Sequence, residues 1–361
     1  MSVRHLSDDL IHDILQYLRE DRDALYYSLC VNRFWSSQVV PLLWCQPFVN
    51  CPLSKRHLLI RTYISCFNTD ELKNLNPYKI NNLFEIQPTL FDYARYLESI
   101  SDCHLNSSVL DWIHKQINQK FSDFPVGAIT ASLWHLFLRK CVKIHSILIS
   151  PHYFNSLIPT LKSTLLTSTA LHSLRNLEIV IDLGTPSNLT TSIIAKAGHM
   201  LQLLVMDCVN NDMIDFVSKY CPNISMLYVE LTQNDYTLLF PWIGSLQLET
   251  LEVKCSVESR NRTHLLSAND KGMEILPEDF NNFSKNCNVP LQTFIIQGIL
   301  KHYNDDEVLC LIYQFATLHN NTLELFGIDR DVIPQKWSKK LKKLGIDVFS
   351  IDDFETLYKS Y

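Results

Sequence analysis

The sequence predicts an α/β protein in which a short group of N-terminal helices precedes a long array of strand-and-helix units. Two observations support this prediction. Helical apolar periodicity fills the first 46 residues, and a pattern of the form apolar-x-x-apolar-x-apolar recurs eight times between residues 144 and 351. Because 361 residues exceed what one hydrophobic core usually fills, we expect several units or an elongated array. The predicted regions are 1–46, a helical linker that leads into the array over 47–140, and the array itself over 141–361.

The composition favours a folded protein that binds other proteins. The net charge of -6 is unfavourable for nucleic-acid binding, which needs clustered Lys and Arg to neutralise phosphates. No run approaches the roughly 20 apolar residues of a membrane span, and the start MSVRHLSDDL lacks the apolar core of a signal peptide. The 11 cysteines form no CxxC pair. We therefore expect a cytoplasmic and/or nuclear protein with reduced thiols that binds neither nucleic acid nor membranes.

The sequence contains few of the motifs that carry catalysis or bind cofactors. Its 8 glycines form neither GxGxxG nor GxxxxGK[ST], and HExxH, HxH and GxSxG are absent. His135 and His145 have apolar neighbours and are interpreted as structural residues. No catalytic residue, metal ligand or cofactor is predicted, so we do not expect an enzyme. An alternative is a hydrolase site hidden between residues 56 and 140.

Three short helices are predicted at the N-terminus. Ser7 is placed to cap the first, which presents apolar residues on one face from Leu10 to Leu18. The second begins near Asp23, and the third carries Phe34, Trp35, Val39 and Val40 and ends before Pro41. A unit of this size is near the lower limit for independent folding, so another surface should cover part of its apolar side chains.

Residues 5–44 resemble the F-box. The resemblance rests on the spacing Leu-x-Val-[CN]-[RK]-x-Trp over 29–35 and a closing Leu-Trp pair at 43–44, although Ser7 stands where the family usually has Pro and Cys30 precedes Val31. The resemblance implies binding to a Skp adaptor and, through it, to a cullin. The residues that it assigns to the adaptor interface are Leu6, Leu10, Ile14, Leu15, Leu29, Val31, Asn32, Trp35, Leu43 and Trp44. The alternative is a helical cap on a larger core, with Trp35 and Trp44 packed inward.

The repeated pattern is similar to leucine-rich repeats. Its central apolar residues are Ile147, Leu177, Leu204, Leu227, Leu251, Phe294, Phe326 and Phe349. Four of the seven spacings between them lie in the range of about 20 to 29 residues expected for such repeats. Cys208, Cys255 and the segment 221–224 resemble the cysteine-containing class of repeat, in which the cysteines are packing residues. The polar interval after Leu251 predicts a long loop near 256–290.

The alternation of side chains along a strand predicts a target-binding surface. With Leu177 and its counterparts inward, the neighbouring residues face the concave side of a curved array. The candidates for substrate binding are Glu178, Asp207, Tyr228, Glu230, Glu252 and Lys254. Most of these side chains are acidic, so the expected ligand is a basic segment of a partner protein. Charged residues placed there only for solubility are the alternative interpretation.

The two resemblances together are typical of substrate receptors of SCF-type cullin-RING ubiquitin ligases. In that family the F-box binds the Skp adaptor, the repeats hold a target protein for ubiquitin-dependent degradation, and other subunits perform the chemistry. An alternative from another class is a leucine-rich-repeat interaction scaffold that has no connection with ubiquitin. The sequence leaves both open.

Overall fold

A computed structural model describes thirteen stretches of the chain, and it shows a mixed α/β protein. The stretches are 7–75, 89–116, 126–149, 161, 163–164, 167–179, 188–206, 209–231, 236–255, 277–287, 289–297, 305–328 and 334–350. The chain divides into two compact units, Met1–Leu174 and Arg175–Tyr361. The predicted boundaries at 46 and 140 both fall inside the first unit.

The three predicted N-terminal helices are confirmed, and each begins at a polar cap. They are α1 (Asp8–Tyr17), α2 (Arg22–Ser28) and α3 (Arg33–Trp44). Ser7 Oγ accepts a hydrogen bond from the N–H of Leu10 at 3.4 Å. Asp21 and Asn32 accept from the third residue after them at 2.9 Å in both cases. These side chains satisfy backbone donors that the first turn of a helix leaves unpaired.

The predicted end of the third helix at Pro41 is wrong, because α3 continues to Trp44. Proline in a helix interior removes one backbone hydrogen bond, so an opposing gain is needed. Continuing the helix packs Leu42 and Leu43 against the core of the three helices. It also brings the indole of Trp44 against Tyr63, with ring centroids 5.4 Å apart. Burial of these side chains offsets the lost bond.

The rest of the first unit is mainly helical. Its helices are α4 (Pro47–Asn50), α5 (Arg56–Ile64), α6 (Thr69–Leu75), α7 (Asp102–Gln116) and α8 (Val126–Lys140). Two short parallel strands, β1 (Ser99–Ser101) and β2 (Ser146–Ile149), pair with Ile100 opposite Ile147. Sequence analysis missed β1, since three residues are too few to show an alternating pattern.

The second unit alternates strands and helices. Its strands are β3 (Asn176–Ile179), β4 (Leu203–Met206), β5 (Met226–Leu231), β6 (Thr250–Cys255), β7 (Thr293–Gln297), β8 (Leu325–Ile328) and β9 (Asp347–Ser350). Between them lie α9 (Asn188–Ala197), α10 (Asn211–Tyr220), α11 (Tyr236–Ile243), α12 (Pro277–Asn286), α13 (Asp305–Leu318) and α14 (Gln335–Lys342). Each strand pairs in parallel with the next in chain order, so every step along the sheet carries one helix.

The strand register aligns one predicted apolar residue from each strand. Directly opposed, strand by strand, are Leu177, Leu204, Leu227, Leu251, Phe294 and Phe326. All six are fully buried. The predicted strands around these residues are therefore confirmed, and their large side chains form the core of the second unit.

The predicted central residue of the last strand is wrong by one position. Val348, not Phe349, lies opposite Phe326. The backbone N–H of Asp347 donates to the carbonyl oxygen of Glu324 at 2.9 Å and fixes this register. A slip of one residue exchanges the two faces of a strand, so the correction reverses the faces that we predicted for β9.

Part of the predicted loop over 256–290 is helical. Pro277–Asn286 form α12, whereas 256–276 lie outside the described residues. Phe280 and Phe283, one helical turn apart, both pack against aromatic rings of the core, including that of Phe294, with ring centroids 6.3 and 5.8 Å apart. The polar composition of the surrounding segment concealed this apolar pair.

Gly198, directly after α9, allows a close approach to Tyr220 at the end of α10. A Cβ atom at this position would lie 2.6 Å from the carbonyl oxygen of Tyr220 and 2.8 Å from Sγ of Cys221. Backbone cannot move away as a flexible side chain can. Packing therefore requires a residue without a Cβ atom at position 198.

We expect Gly198→Ala to lower the free energy of unfolding by about 1 to 3 kcal/mol, the usual cost of overpacking a core. Gly198→Ser should cost more, because it adds another atom at the contact. Gly345 is the matched control: its φ is +81° and nothing lies within 4 Å of a Cβ there, so Ala and Ser should cost similar amounts. Urea unfolding measures all four variants. A free energy of unfolding for Gly198→Ala equal to that of wild type would contradict the close contact.

Candidate protein-binding surfaces

The N-terminal helices have a core that is too small to cover all their apolar side chains. Its buried members are Ile11, Leu15, Leu25 and Val39, and six further side chains pack against it, namely Leu18, Leu29, Phe34, Trp35, Leu42 and Leu43. On α2, Leu25 and Ser28 point inward, and Ser28 Oγ donates to the carbonyl oxygen of Ala24 at 2.8 Å. The opposite side of α2 therefore faces solvent.

The apolar side chains that remain outside this core are concentrated in a short part of the sequence. Of the fourteen large apolar side chains that are exposed in the described stretches, six belong to residues 10–31. We call these six the N-terminal apolar surface: Leu10, Ile14, Tyr17, Tyr26, Tyr27 and Val31. Three of them, Leu10, Ile14 and Tyr17, recur at the spacing of one face of α1, and exposed apolar side chains that share a face are typical of a protein-binding site.

Three of the predicted adaptor-binding residues belong to this surface. Leu10 is 51% exposed, Ile14 37% and Val31 57%. Sequence reasoning missed Tyr17, Tyr26 and Tyr27, which are still more exposed. The available signal was their position in the helices, since Tyr17 does not share a face with Leu15, nor do Tyr26 and Tyr27 with Leu25. The F-box pattern instead indicated the aliphatic positions.

The other predicted adaptor-binding residues have structural environments. Leu15 is 1% exposed and lies in the core of the three helices. Leu29, Trp35 and Leu43 are half-buried and pack against that core. The amide oxygen of Asn32 caps α3. Leu6 lies outside the described residues.

Trp44 is part of an aromatic cluster within the first unit. Its ring lies edge-on to Tyr63 and 4.2 Å from the ring centroid of Tyr93. Tyr63 in turn contacts Phe48 and Phe137. This packing explains Trp44 without an external partner and is the environment that the helical-cap interpretation predicts.

The second candidate surface is a row of side chains along the second unit. Glu178, Val205, Tyr228 and Glu252 are directly opposed on four consecutive strands, and each is half-buried. They alternate with the buried leucines and therefore lie on the other face of the sheet. With strands about 4.8 Å apart, Glu178 and Glu252 are separated by roughly 14 Å. We call these four residues the strand-face row.

The strand-face row is bounded on two sides. Two residues further along β5 and β6, on the same face, Glu230 lies opposite Lys254, and their side chains form an ion pair at 3.6 Å. On β7, Ile295 lies opposite Glu252 and is fully buried, so the accessible part of the row ends at β6. The predicted Asp207 lies outside the described residues.

Both carboxylates of the strand-face row are partly desolvated. Burial raises the pKa of Glu178 above its usual value of 4.5. Burial also raises the pKa of Glu252, while the ammonium group of Lys254 acts in the opposite direction. A buried carboxylate costs free energy in its ionised form, so an incoming cation would be stabilising at both positions.

The described residues contain little that suggests metal, thiol or membrane chemistry. Within them, no three His, Cys, Asp or Glu side chains are placed to hold a metal ion, and none of the helices is long and apolar enough to cross a membrane. The nine cysteines whose side chains are described are free thiols, and burial raises the pKa of Cys221 to about 12. His135 Nδ1 lies 2.6 Å from the hydroxyl of Thr164, in agreement with its predicted structural role.

Comparison with known proteins does not assign the chain to a family. No family model matches the sequence, and no curated protein matches it.

Glu178 should make stability depend on pH. Its pKa is higher in the folded than in the unfolded chain, so the folded state loses stability as pH rises through the folded pKa. We expect Glu178→Gln to be more stable than wild type at pH 7, with a difference that disappears well below the usual pKa of 4.5. Thermal unfolding across pH measures this.

Glu249→Gln, which makes the same change at an exposed carboxylate beside β6, is the matched control. A Glu178→Gln profile parallel to that of wild type at all pH values would contradict the desolvation of Glu178.

Proposed function

We propose that this chain is the substrate-recognition subunit of an SCF-type E3 ubiquitin ligase. In this proposal the N-terminal helices are an F-box that binds a Skp adaptor, and the strand-and-helix array is a leucine-rich-repeat solenoid that binds a target protein. The observation that carries the proposal is the N-terminal apolar surface, since Leu10, Ile14 and Val31 are exposed at positions of the F-box pattern.

The exposed side chains are better explained by a partner than by folding. Leu10 and Ile14 lie on the same helix as the buried Ile11 and Leu15, so α1 has apolar residues on two faces. One face is sufficient to form the small core. The second face lies outside that core and is partly exposed, with Leu10 at 51% and Ile14 at 37%, and it would become buried when an adaptor binds.

The array supports the second half of the proposal. One strand and one helix per step, with parallel strands in chain order, is the arrangement expected of stacked repeats. Such arrays offer long surfaces for protein binding. The chain itself would perform no covalent chemistry, and its contribution would be to hold a target near a ubiquitin-loaded enzyme supplied by other subunits.

The strand-face row points to a target with a basic segment. Glu178 and Glu252 are carboxylates with raised pKa values that a Lys or Arg side chain would stabilise, and Tyr228 between them offers aromatic surface. Glu230 is adjacent but already paired with Lys254. The proposed contact residues are therefore Glu178, Tyr228 and Glu252, with Glu230 and Lys254 at the margin.

A protein-interaction scaffold without ubiquitin function is the second candidate. The packing of Trp44 against Tyr63 and Tyr93 favours it, because this packing is what a purely structural N-terminal cap requires. The two proposals differ in one property. Only a receptor binds the Skp adaptor through the N-terminal apolar surface.

We expect the double variant Leu10→Ala with Val31→Ala to weaken binding of a purified Skp adaptor at least about tenfold, because truncating two buried interface side chains removes more than the 1.4 kcal/mol that this factor represents. Calorimetric titration of the full-length chain measures the affinity, and circular dichroism verifies the fold.

The matched control for adaptor binding is Leu318→Ala with Val142→Ala. It removes the same two kinds of side chain from positions that are 60% and 55% exposed elsewhere in the chain. This control should bind the adaptor as wild type does. Equal affinity of all three proteins, or no adaptor binding by wild type, would exclude the receptor and leave the scaffold.

For the target surface, we expect wild type to enrich Lys- and Arg-rich sequences from a displayed peptide library. Changing Glu178, Glu230 and Glu252 to Lys, together with Tyr228→Ala, should abolish that enrichment, because it reverses the charge and removes the aromatic contact. The control changes the exposed Asp212, Glu249 and Glu324 to Lys and alters the net charge equally. The same enrichment by all three proteins would rule out the strand-face row as the target site.

A further inference from the structure

The helix α14 and Lys343, the residue directly after it, carry a concentration of positive charge that the proposed function does not use. Five of the eight residues over 336–343 are lysines, and no acidic residue occurs between 334 and 346. This is the opposite of the chain as a whole, which has a net charge of -6. We call the five residues the lysine face: Lys336, Lys339, Lys340, Lys342 and Lys343.

Packing fixes α14 in place and directs its lysines outward. Trp337 is 5% exposed and Leu341 fully buried, so one side of the helix is anchored in the second unit. Four of the five lysines are exposed, and Lys340 is half-buried beside the ring of Trp337. In the part of the chain that the structure describes, no carboxylate lies within 4.0 Å of any of their ammonium groups.

Two of the ammonium groups are held by aromatic rings. Nζ of Lys340 lies 4.1 Å from the ring centroid of Trp337 and 5.4 Å from that of Tyr313. Nζ of Lys336 lies 5.6 Å from the ring of Trp337. Cation–π attraction limits the freedom of these side chains. A ligand would therefore lose less entropy in ordering them than it would with free surface lysines.

We propose that the lysine face binds an acidic peptide segment of a partner protein, a run of Asp and Glu residues. The helix is about 12 Å long at 1.5 Å per residue. An extended peptide covers that length with about four residues. The face therefore fits a short cluster of carboxylates, each next to an ammonium group that has no carboxylate partner within this part of the chain.

The chemistry of the face favours a peptide over a membrane or a nucleic acid. Among the exposed side chains of α14 there is no aromatic or large aliphatic residue, and Trp337 is covered. Insertion into a bilayer and stacking on bases both need such residues. An extended polyanion would also experience the repulsion of a chain with a net charge of -6, whereas a short peptide meets only the local charge.

The test measures binding of fluorescein-labelled octaglutamate to the full-length chain by fluorescence anisotropy at an ionic strength of about 50 mM, where surface charges are weakly screened. We expect binding that weakens as salt is raised. The variant Lys339→Glu, Lys342→Glu and Lys343→Glu should weaken it at least about tenfold, since it reverses three of the five charges but leaves the ammonium–ring contacts of Lys336 and Lys340 intact.

The matched control changes Lys55, Lys143 and Lys219, three exposed lysines elsewhere, to Glu and gives the same net charge. It should weaken octaglutamate binding by less than about twofold, as a general charge effect would. Because lysines near a helix C-terminus stabilise the helix, circular dichroism accompanies the series, and the three Lys→Gln changes at 339, 342 and 343 replace the Glu variant if it unfolds.

The proposal would be overturned by an equal loss of octaglutamate binding in the lysine-face variant and the control variant, or by no octaglutamate binding of wild type. It would also be overturned if phosphatidylserine vesicles or oligothymidine bound the lysine face more strongly than octaglutamate does. The proposal does not depend on adaptor binding, so failure of the receptor proposal leaves it standing.

Discussion

Burial of one apolar residue per strand, aligned across the parallel sheet, is the constraint on which the second unit depends. A single strand and helix cannot cover the leucine or phenylalanine at the strand centre. The next strand must therefore place an apolar residue directly opposite it. Leu177, Leu204 and Leu227 show this most regularly, since their backbones are directly opposed and their side chains are fully buried. The same register places Glu178, Tyr228 and Glu252 in line on the other face. Core and candidate site therefore result from one hydrogen-bonding pattern.

The N-terminal helices meet a different constraint, which is size. A core of four buried side chains can hold three short helices together only if the rest of the first unit supports them, and Trp44 provides part of that support by contacting Tyr63 and Tyr93. The helices nevertheless keep apolar residues such as Leu10 and Val31 in solvent. Exposure of this kind lowers solubility and adds nothing to the folded core, which is why we interpret it as a binding surface.

The charges of the second unit are separated by element. Glu178 and Glu252 lie on the strand face, where burial raises the pKa of each, and the lysines of α14 lie on a helix. The proposed ligands therefore have opposite charge, a basic target segment for the strands and an acidic segment for the helix. Each proposal can fail without affecting the other.

Much of the fold was predictable from the sequence, because parallel strands in an array place an apolar residue at each strand centre, and this pattern survives variable spacing. The start of α1 was equally clear from Ser7. Other features depend on contacts between distant residues. The helix through Pro41 depends on rings far along the chain, and the register of β9 depends on a backbone bond to Glu324.

The candidate sites were less predictable than the fold. The F-box pattern indicated which helices carry apolar residues but not which of these side chains the small core would bury. Leu15 is buried and Leu10 exposed on the same helix, a difference that only the positions of α2 and α3 determine. On the strands, alternation correctly placed Glu178 and Glu252 in one row, but it could not show that Ile295 is buried on the same face.

The most direct test of the central claim is hydrogen–deuterium exchange of the full-length chain with and without a saturating Skp adaptor. We expect slower amide exchange in peptides covering residues 8–31 when the adaptor is present, because the N-terminal apolar surface becomes buried, and unchanged exchange in α9 to α14. Identical exchange over 8–31 in both samples, or protection that appears only in the second unit, would contradict it.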